Sequence, residues 1–431
     1  MPANSKLTFA LRSLRHRNYQ LFFGGQFISV TGTWMQNVAQ AWLVYRLSRS
    51  SFLLGLTGFA GQFPVFLLAP VGGHAADRWS RHRIIVGTQI ASMLLAFSLS
   101  GVNFAGVVQV WHVILLAALL GVVNAFDIPA RQAFVVQMVG REDLPNAIAL
   151  NSSLFNSARI LGPTVAGLLV AALGEAWCFF ANGASYIAVI AGLLLMRLEP
   201  RAPAHLPDSA FDHIVAGFRW VGRTRPIRAL LIQLGIVSLV GMPYAVLMPV
   251  FADRILHHGA AGLGILLGAT GVGALAGALR LALRQGTSGL GRWVAYATFS
   301  FGALLILFSL SRSFWLSAAL LVPVGFTFIV QMASCNTLIQ SMTPDALRGR
   351  VMAAYSMMFM GMAPLGALAA GIAATHLGAP LTVAIGGALS CLSAAVFFSR
   401  LPSLSVEARE LLLAQQTAGG TAEEASGGQF A

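Results

Sequence analysis

Twelve apolar runs of about 20 residues, separated by short charged or turn-forming breaks, constrain this 431-residue chain most strongly. A run of that length crosses the hydrocarbon core of a bilayer as an α-helix. Hydrophobic residues make up 57% of the chain and charged residues only 10%, against roughly a quarter charged in soluble domains. The sequence therefore predicts an all-α integral membrane protein that spans a lipid bilayer twelve times. The runs cover residues 19–45, 52–72, 84–104, 110–130, 146–173, 176–197, 227–252, 260–284, 292–311, 314–337, 349–375 and 379–399.

The longest connection, residues 198–226, divides the twelve runs into two sets of six. It is rich in proline, and apolar residues then recur at helical spacing from 211 to 221, which predicts an amphipathic helix on the membrane surface. The segment that enters the fifth run, 142–147, is echoed before the eleventh run at 344–350, so the two halves are expected to be pseudo-repeats. The expected domains are an N-terminal bundle at 1–197, the linker at 198–226, a C-terminal bundle at 227–400 and a flexible tail at 401–431.

The basic residues predict the orientation of the chain in the membrane. Those on one side of the predicted spans are only four, Arg46, Arg49, Arg254 and Arg312. Arg159 lies inside a span, and the other Lys and Arg residues fall on the opposite side, so the positive-inside rule places both termini in the cytoplasm. The same rule explains the net charge of +13 better than nucleic-acid binding does. Residues 1–17 are basic but lack a cleavage site, so we expect the first helix to be retained.

A tight basic loop, Gly73 to Arg83, joins the second and third runs. Its pattern Gly-x-x-x-Asp-Arg-x-x-Arg-x-Arg resembles the loop signature of major facilitator superfamily transporters, although Ser80 and His82 depart from it. The resemblance implies the twelve-helix major facilitator fold, in which Asp77 caps the eleventh helix near its start and Arg81 pairs with an acid of the fourth helix. The available acid is Asp127. The predicted residues of this conformational latch are Asp77, Arg78, Arg81, Arg83, Asp127 and Arg131.

The fifth helix carries Gly162-Pro163-Thr164-Val165-Ala166-Gly167. Small residues permit close helix approach, and Pro163 removes a backbone hydrogen bond and bends the helix. The pattern also resembles the fifth-helix signature of exporters in the superfamily, which implies outward transport; its key residues are Gly162, Pro163 and Gly167. Together with runs around Asn124 and Asn156, it resembles the bacterial subgroup that contains the enterobactin exporter and macrolide efflux proteins. This resemblance implies that the chain lies in the bacterial inner membrane.

Arg159 lies near the middle of the fifth helix, where an unpaired charge costs at least roughly 2.5 kcal/mol on insertion scales. It therefore needs either a structural ion pair or a watery cavity with an anionic or polar substrate, and both interpretations stay open. Polar stripes along the first and tenth helices line the cavity by resemblance, with interhelical hydrogen bonding as the alternative. Methionines of the eleventh helix suit either an apolar pocket or ordinary packing. The candidate cavity residues are Gln26, Thr33, Gln36, Asn37, Gln40, Asn124, Arg159, Thr327, Gln331 and Met358.

These features predict a secondary active transporter that exports a small amphipathic compound by alternating access, as a monomer. The sequence contains no Gly-rich phosphate loop, which favours proton antiport as the energy source. A lysolipid flippase of the same fold is the alternative. A membrane-embedded enzyme is less well supported, because the nine histidines are scattered and the three cysteines are single. We expect no cofactor and no metal, and the sequence does not name the substrate.

Overall fold

The computed structural model describes residues 11–140, 142–197, 219–284 and 286–419, with the backbone alone at 345–346 and 414–419. The linker expected at 198–226 lies outside the described residues as far as 218, and so does most of its expected amphipathic helix.

The described residues form helices and contain no strand. A short 3-10 helix at Arg12–Arg15 precedes twelve long helices, of which eleven have the length and apolar composition to span a membrane. The predicted all-α, twelve-helix architecture is confirmed. In the first half the helices are α1 (Arg17–Ser48), α2 (Ser51–Arg78), α3 (Arg81–Phe104), α4 (Val110–Val139), α5 (Leu144–Leu173) and α6 (Glu175–Leu194). In the second half they are α7 (Arg225–Ile255), α8 (Gly259–Ala282), α9 (Leu290–Leu310), α10 (Phe314–Met342), α11 (Asp345–Leu377) and α12 (Ala379–Gly419).

Short turns join neighbouring helices at several connections that the structure describes, and local chemistry fixes where those helices end. Arg49 closes α1 in the left-handed conformation, and the hydroxyl of Ser50 then accepts a hydrogen bond from the backbone N–H of Leu53 at the start of α2. Gly174, with φ of +92°, turns the chain between α5 and α6, a conformation that favours glycine. Several helices continue past the apolar runs, and α4 extends to Val139 instead of residue 130.

The chain divides into two compact units. Unit 1 comprises Met1–Leu53, Ala60–Pro207 and His258–Gly268. Within it, α1 packs against α4, α5 and α6, while α3 packs against α4 and α6. The core of unit 1 is apolar and holds large buried side chains from α1, α3, α4 and α6; they include Tyr19, Phe22, Ile85, Phe134 and Leu193.

Unit 2 comprises Leu54–Phe59, Asp208–His257 and Ala269–Ala431. Within it, α9 packs against α10 and α12, and α7 packs against α11 and α12. The helix α7 is irregular: π-helical turns at Val237–Gly241 and Phe251–Ile255 flank a 3-10 turn at Met242–Ala245. Prolines inside the 3-10 turn and just before the second π turn cannot donate the backbone bonds of a regular helix.

The expected flexible tail from residue 401 is wrong as far as Gly419, because α12 continues without a break to that residue. Apolar residues at helical spacing bury one face of this extension in the core of unit 2; they are Leu401, Leu404, Ala408 and Leu412. Glu407 also lies 3.2 Å from Arg225 of α7. The spacing of these leucines supports a helix that the nearby charges obscure in the sequence, and the rest of the expected tail, 420–431, lies outside the described residues.

Candidate functional site

The α2–α3 junction carries the predicted latch. The carboxylate of Asp77 lies 3.6 Å from the guanidinium of Arg81, four residues later. Arg81 also donates hydrogen bonds to the carbonyl of Ala76 at 3.1 Å and to the carbonyl of Ala133 in α4 at 3.0 Å. Arg81 therefore ties the start of α3 to the end of α2 and to α4, and its charge is balanced within the junction.

The predicted pairing of Arg81 with Asp127 is wrong, since each side chain has other partners. Arg81 reaches α4 at Ala133, about 9 Å further along the helix than Asp127. Because α4 continues to Val139, Asp127 lies well inside the helix rather than near its end. The remaining latch arginines of the α2–α3 junction, Arg78 and Arg83, are exposed.

Asp127 is the centre of a buried polar network in unit 1, and only 2% of its surface is exposed. Its Oδ1 accepts hydrogen bonds from the hydroxyl of Thr88 at 2.8 Å and from the amide of Gln89 at 2.9 Å. Its Oδ2 lies 2.8 Å from Nη2 of Arg131, one turn later in α4. Nη1 of Arg131 donates to Oε1 of Gln26 in α1 at 2.8 Å. The network thus joins α1, α3 and α4 and neutralises a buried carboxylate with a cation and two neutral donors.

Two amide atoms at the edges of this network have no partner among the described residues. They are Nε2 of Gln26, which can donate, and Oε1 of Gln89, which can accept. Buried polar atoms usually have a partner, and a water molecule or a transported group would supply one. Sequence analysis missed Thr88 and Gln89. Their signal was an adjacent polar pair inside the third apolar run, which has few polar residues.

Arg159 is half-buried on α5, and its guanidinium carbon lies 5.9 Å from the centre of the Trp34 ring of α1. One turn earlier on α5, the ring of Phe155 lies 5.9 Å from the guanidinium carbon of Arg131. Each arginine in the middle of unit 1 therefore has an aromatic ring beside it, within the range of a cation–π contact. A flat cation beside an aromatic face can hold an anionic or aromatic group.

Two residues of the polar stripe of α1, Gln36 and Thr33, contact α6. Oε1 of the buried Gln36 accepts a hydrogen bond from the amide of Asn182 at 2.7 Å. The hydroxyl of Thr33 donates to the carbonyl of Ser29 at 3.0 Å and lies 3.4 Å from the hydroxyl of Tyr186. For these two residues the structure supplies the interhelical contacts that were the alternative to a cavity.

Three other candidate cavity residues make no side-chain hydrogen bond to any described residue. Asn37 is exposed on α1, while Gln40 on α1 and Asn124 on α4 are half-buried. Asn124 lies one helical turn before the central acid of the buried network. The amides of these three residues are available to contact a ligand.

The α10 candidates are more buried than the sequence suggests. The hydroxyl of Thr327 donates to the carbonyl of Pro323, at 2.8 Å, within its own helix. Gln331 is 1% exposed, and its amide lies 3.6 Å from the sulfur of Cys335. Met358 on α11 packs against the core of unit 2. Tight packing therefore accounts for much of this set.

The glycines of the exporter pattern sit where two helices touch α5 within unit 1. A Cβ on Gly162 would collide with the Cβ of Trp34 in α1, and one on Gly167 would lie 2.8 Å from the Cα of Gly264 in α8. Both positions therefore require glycine, and Pro163 is buried beside them. The predicted close approach of helices at these glycines is confirmed.

A further ionic cluster joins the 3-10 helix to the α4–α5 connection. The carboxylate of Asp143 lies 2.5 Å from Nε of Arg12 and 2.7 Å from the imidazole of His16. The hydroxyl of Ser13 donates to the carbonyl of Asp143, and the backbone N–H of Ser13 donates to the side chain of Asn146, both at 3.0 Å. The hydrogen bond with His16, followed by the charge of Arg12, lowers the pKa of Asp143 below its ordinary value. Sequence analysis missed this cluster.

Among the residues that the structure describes, no three His, Cys, Asp or Glu side chains lie together as a metal site would require. The chemistry available inside unit 1 is that of an ionisable carboxylate beside an arginine, with a second arginine on the next helix. Ionisable residues inside a membrane-spanning bundle commonly mark the pathway of a substrate or an ion.

Residues 8–418 match the family described as transmembrane secretion effector, and the chain belongs to this family of the major facilitator superfamily. The protein is therefore a multi-pass membrane transporter and not an enzyme. Its fold is similar to that of a crystallised POT family transporter in complex with 5-aminolevulinic acid, with a TM-score of 0.72 over 90% of this chain and 97% of that chain at 11% identity. The predicted major facilitator fold is confirmed.

Three similar proteins extend over most of the chain. The multidrug efflux pump Tap of Mycolicibacterium fortuitum is 28% identical over 392 residues, which are 86% of this chain and 93% of Tap. The staphyloferrin A transporter of Staphylococcus aureus is 26% identical over 400 residues, 88% of this chain and 94% of the transporter. The enterobactin exporter EntS of Shigella boydii is 26% identical over 345 residues, 78% of this chain and 80% of EntS. The predicted similarity to the enterobactin exporter is confirmed.

Proposed function

We propose that this transporter exports a small amphipathic compound from the cytoplasm across the bacterial inner membrane, by alternating access and in exchange for protons. The relatives support the direction and the class of substrate, since they are named as a multidrug efflux pump, a staphyloferrin A transporter and an enterobactin exporter. The Gly162-Pro163 pattern of α5 supports the outward direction by its resemblance to exporters.

The buried carboxylate of Asp127 is the observation that carries the proposal. A proton-driven cycle needs an acid inside the membrane that can exist with and without its charge. Protonation of Asp127 would cancel the charge that holds Arg131 and would free that guanidinium to find another partner. The carboxylate is surrounded by side chains from three helices, so its protonation state can bias how those helices pack.

The substrate class is tested first, by expressing the protein in a strain that lacks its own exporters and measuring growth against antibiotics and siderophores. Resistance to, or release of, one of these compounds supports efflux. Movement of a labelled lysolipid, with no effect on any soluble compound, would instead favour the flippase alternative.

Proton coupling is tested in proteoliposomes that contain a pH indicator, with a compound identified in the growth screen. The wild type should move protons opposite to the compound, whereas Asp127→Asn should keep exchange of labelled for unlabelled compound and lose proton movement. Glu410→Gln is the matched control, because Glu410 is an exposed acid on α12. Proton movement by Asp127→Asn would exclude Asp127 as the coupling acid, and export by the wild type without proton movement would refute antiport.

Arg159 is proposed to contact the substrate, supported by its place beside Trp34 in the middle of α5. Arg159→Lys should then keep some transport, while Arg159→Met should abolish efflux at near-normal abundance, since methionine inserts readily into a membrane. A structural ion pair predicts a different result: Arg159→Met would strand the partner charge and reduce the amount of folded protein, a loss of roughly 3–5 kcal/mol. Normal efflux at normal abundance would refute both roles.

The proposed topology places both termini and residues 198–226 in the cytoplasm, supported by the distribution of basic residues. A phosphatase fused after Gly420 should therefore be inactive. Phosphatase activity in the periplasm would overturn the topology.

A further inference from the structure

The α8–α9 junction contains two arginines that share one aromatic ring. The guanidinium carbons of Arg280 and Arg284 lie 4.9 Å and 4.5 Å from the centre of the Trp293 ring. The two arginines are one helical turn apart, and like charges at that spacing repel each other. Burial and the charge of Arg280 lower the pKa of Arg284, but an arginine stays charged at physiological pH.

Neither arginine is neutralised by the part of the chain that the structure describes. No described acid lies within ion-pair distance of Arg280 or Arg284, and the sequence has no Asp or Glu between Asp253 and Asp345. Each guanidinium offers five N–H donors. No side chain or carbonyl among the described residues accepts a hydrogen bond from them. Within the described part of the chain, the pair therefore contacts an aromatic ring and no anion.

The surface beside this pair is apolar. Val272 and Leu279 of α8 and Leu283, just after its end, recur at helical spacing and are 49%, 56% and 82% exposed. On α9, Tyr296 is also exposed, one turn after Trp293. A helix long and apolar enough to span the membrane presents such a stripe to lipid chains. Aromatic residues of this type concentrate at the level of lipid headgroups.

We propose that Arg280, Arg284 and Trp293 form a binding site for the headgroup of an anionic phospholipid. Its phosphate would accept hydrogen bonds from both guanidiniums, and its acyl chains would lie along the exposed stripe of α8. Phosphate suits two adjacent arginines, because guanidinium donors match phosphate oxygens in pairs. Basic residues where a helix leaves the bilayer attract anionic lipids. A soluble phosphate would satisfy the same donors but would leave the stripe without a ligand, so the arms of the test separate the two sources.

The test uses the purified full-length protein in nanodiscs of phosphatidylcholine that contain increasing amounts of phosphatidylglycerol. Thermal unfolding is measured in these nanodiscs, and the lipid retained by the protein is identified by native mass spectrometry. The wild type should retain phosphatidylglycerol and gain stability from it. Arg280→Gln with Arg284→Gln should weaken this lipid binding about 30-fold, about fivefold for each arginine. Arg400→Gln with Arg409→Gln is the matched control, since it removes two exposed arginines of the same unit and should change little.

Three results would overturn the proposal: equal retention of phosphatidylcholine and phosphatidylglycerol by the wild type, an equal loss in the control, or equal stabilisation by inorganic phosphate or glycerol phosphate in phosphatidylcholine nanodiscs.

Two further variants keep the test decisive if the double glutamine variant does not fold. Trp293→Leu removes the shared ring and should weaken phosphatidylglycerol binding. Arg280→Lys with Arg284→Lys keeps both charges and should preserve most of it. Unchanged binding in Trp293→Leu, or complete loss in the lysine variant, would contradict the site described.

Discussion

The α2–α3 and α8–α9 junctions occupy matching places in the two halves of the chain, but their charges differ. The segment that enters α11 follows the segment that enters α5 at a fixed distance along the sequence. At about the same distance, Arg280 follows Asp77 and Arg284 follows Arg81. In the first junction an acid one turn before Arg81 balances its charge. In the second junction an arginine takes that position, and both cations lie over Trp293. The residue one turn before Arg81 or Arg284 therefore decides whether that arginine has an internal partner, and an external anion is the partner proposed for the second junction.

The largest effect is expected from removing the acid of the first junction. Asp77→Asn should slow transport about tenfold, which a shift of ~1.4 kcal/mol between two conformations produces. The abundance of folded protein should stay normal, because Asp77 is partly exposed and lies outside the apolar core. Initial rates of efflux, normalised to membrane abundance, measure the change. Glu410→Gln serves as the control, and wild-type rates for Asp77→Asn would show that the ion pair has no part in the cycle.

Exchanging the two charges should restore part of that loss. Asp77→Arg combined with Arg81→Asp rebuilds an ion pair at the same spacing, so its efflux rate should exceed that of either single variant. Recovery should be incomplete, because Arg81 also donates to the carbonyls of Ala76 and Ala133 and an aspartate cannot. If the double variant is no faster than the singles, the pairing of Asp77 with Arg81 is irrelevant and only the carbonyl contacts matter.

Making the second junction resemble the first should change lipid binding more than transport. Arg280→Asp places an acid one turn before Arg284, as Asp77 stands before Arg81. We expect stabilisation by phosphatidylglycerol to disappear while efflux stays within about twofold of the wild type, since Arg284 gains an internal partner. Thermal unfolding with and without phosphatidylglycerol, beside an efflux assay, measures both. Undiminished stabilisation by phosphatidylglycerol would count against the comparison.

The smallest effect is expected at the α4–α5 connection, where Asp143 lies beside Arg12 and His16. The comparison of the two junctions implies that an acid paired with neighbouring bases stabilises the folded protein. The pKa of Asp143 is lowered, so its charge stabilises the folded protein above the unfolded pKa of about 3.9, and this contribution is lost as the pH falls through the lower folded value. Asp143→Asn should therefore lower the Tm by about 1 °C at pH 6 and by less near pH 3. Scanning Tm against pH checks this, and an equal deficit at both pH values would exclude the ionised carboxylate as its cause.

The sequence predicts the spans well because their apolar length depends on no other part of the chain. The interior pairings could not be predicted in the same way. The pairing of Asp127 with Arg81 requires that α4 end near residue 130. Instead α4 continues to Val139, and Asp127 faces Thr88 of α3. Which face of a helix meets which neighbour depends on rotation and tilt, and these are set by packing.

The same limit applies to the polar stripes. Gln36 and Asn37 are adjacent in the sequence, yet Gln36 is buried against Asn182 and Asn37 is exposed. Hydropathy treats both as polar residues of one span, whereas the packing of α6 separates them. The role of the glycines of α5 is easier to predict from the sequence, because residues without a side chain in a membrane helix allow neighbouring helices to approach closely.

The extension of α12 to Gly419 has a practical consequence for handling this protein. Removing the chain after residue 400, as its charged sequence invites, would delete Leu404, Ala408 and Leu412 and leave the core of unit 2 partly uncovered. Burial of each leucine stabilises the folded state by about 1.5–3 kcal/mol. A shortened protein should therefore express poorly and unfold readily after extraction into detergent. Affinity tags and fluorescent reporters are best attached beyond residue 419, where they leave this packed helix intact. Their signal then reflects the folded transporter and not a protein destabilised by loss of the helix.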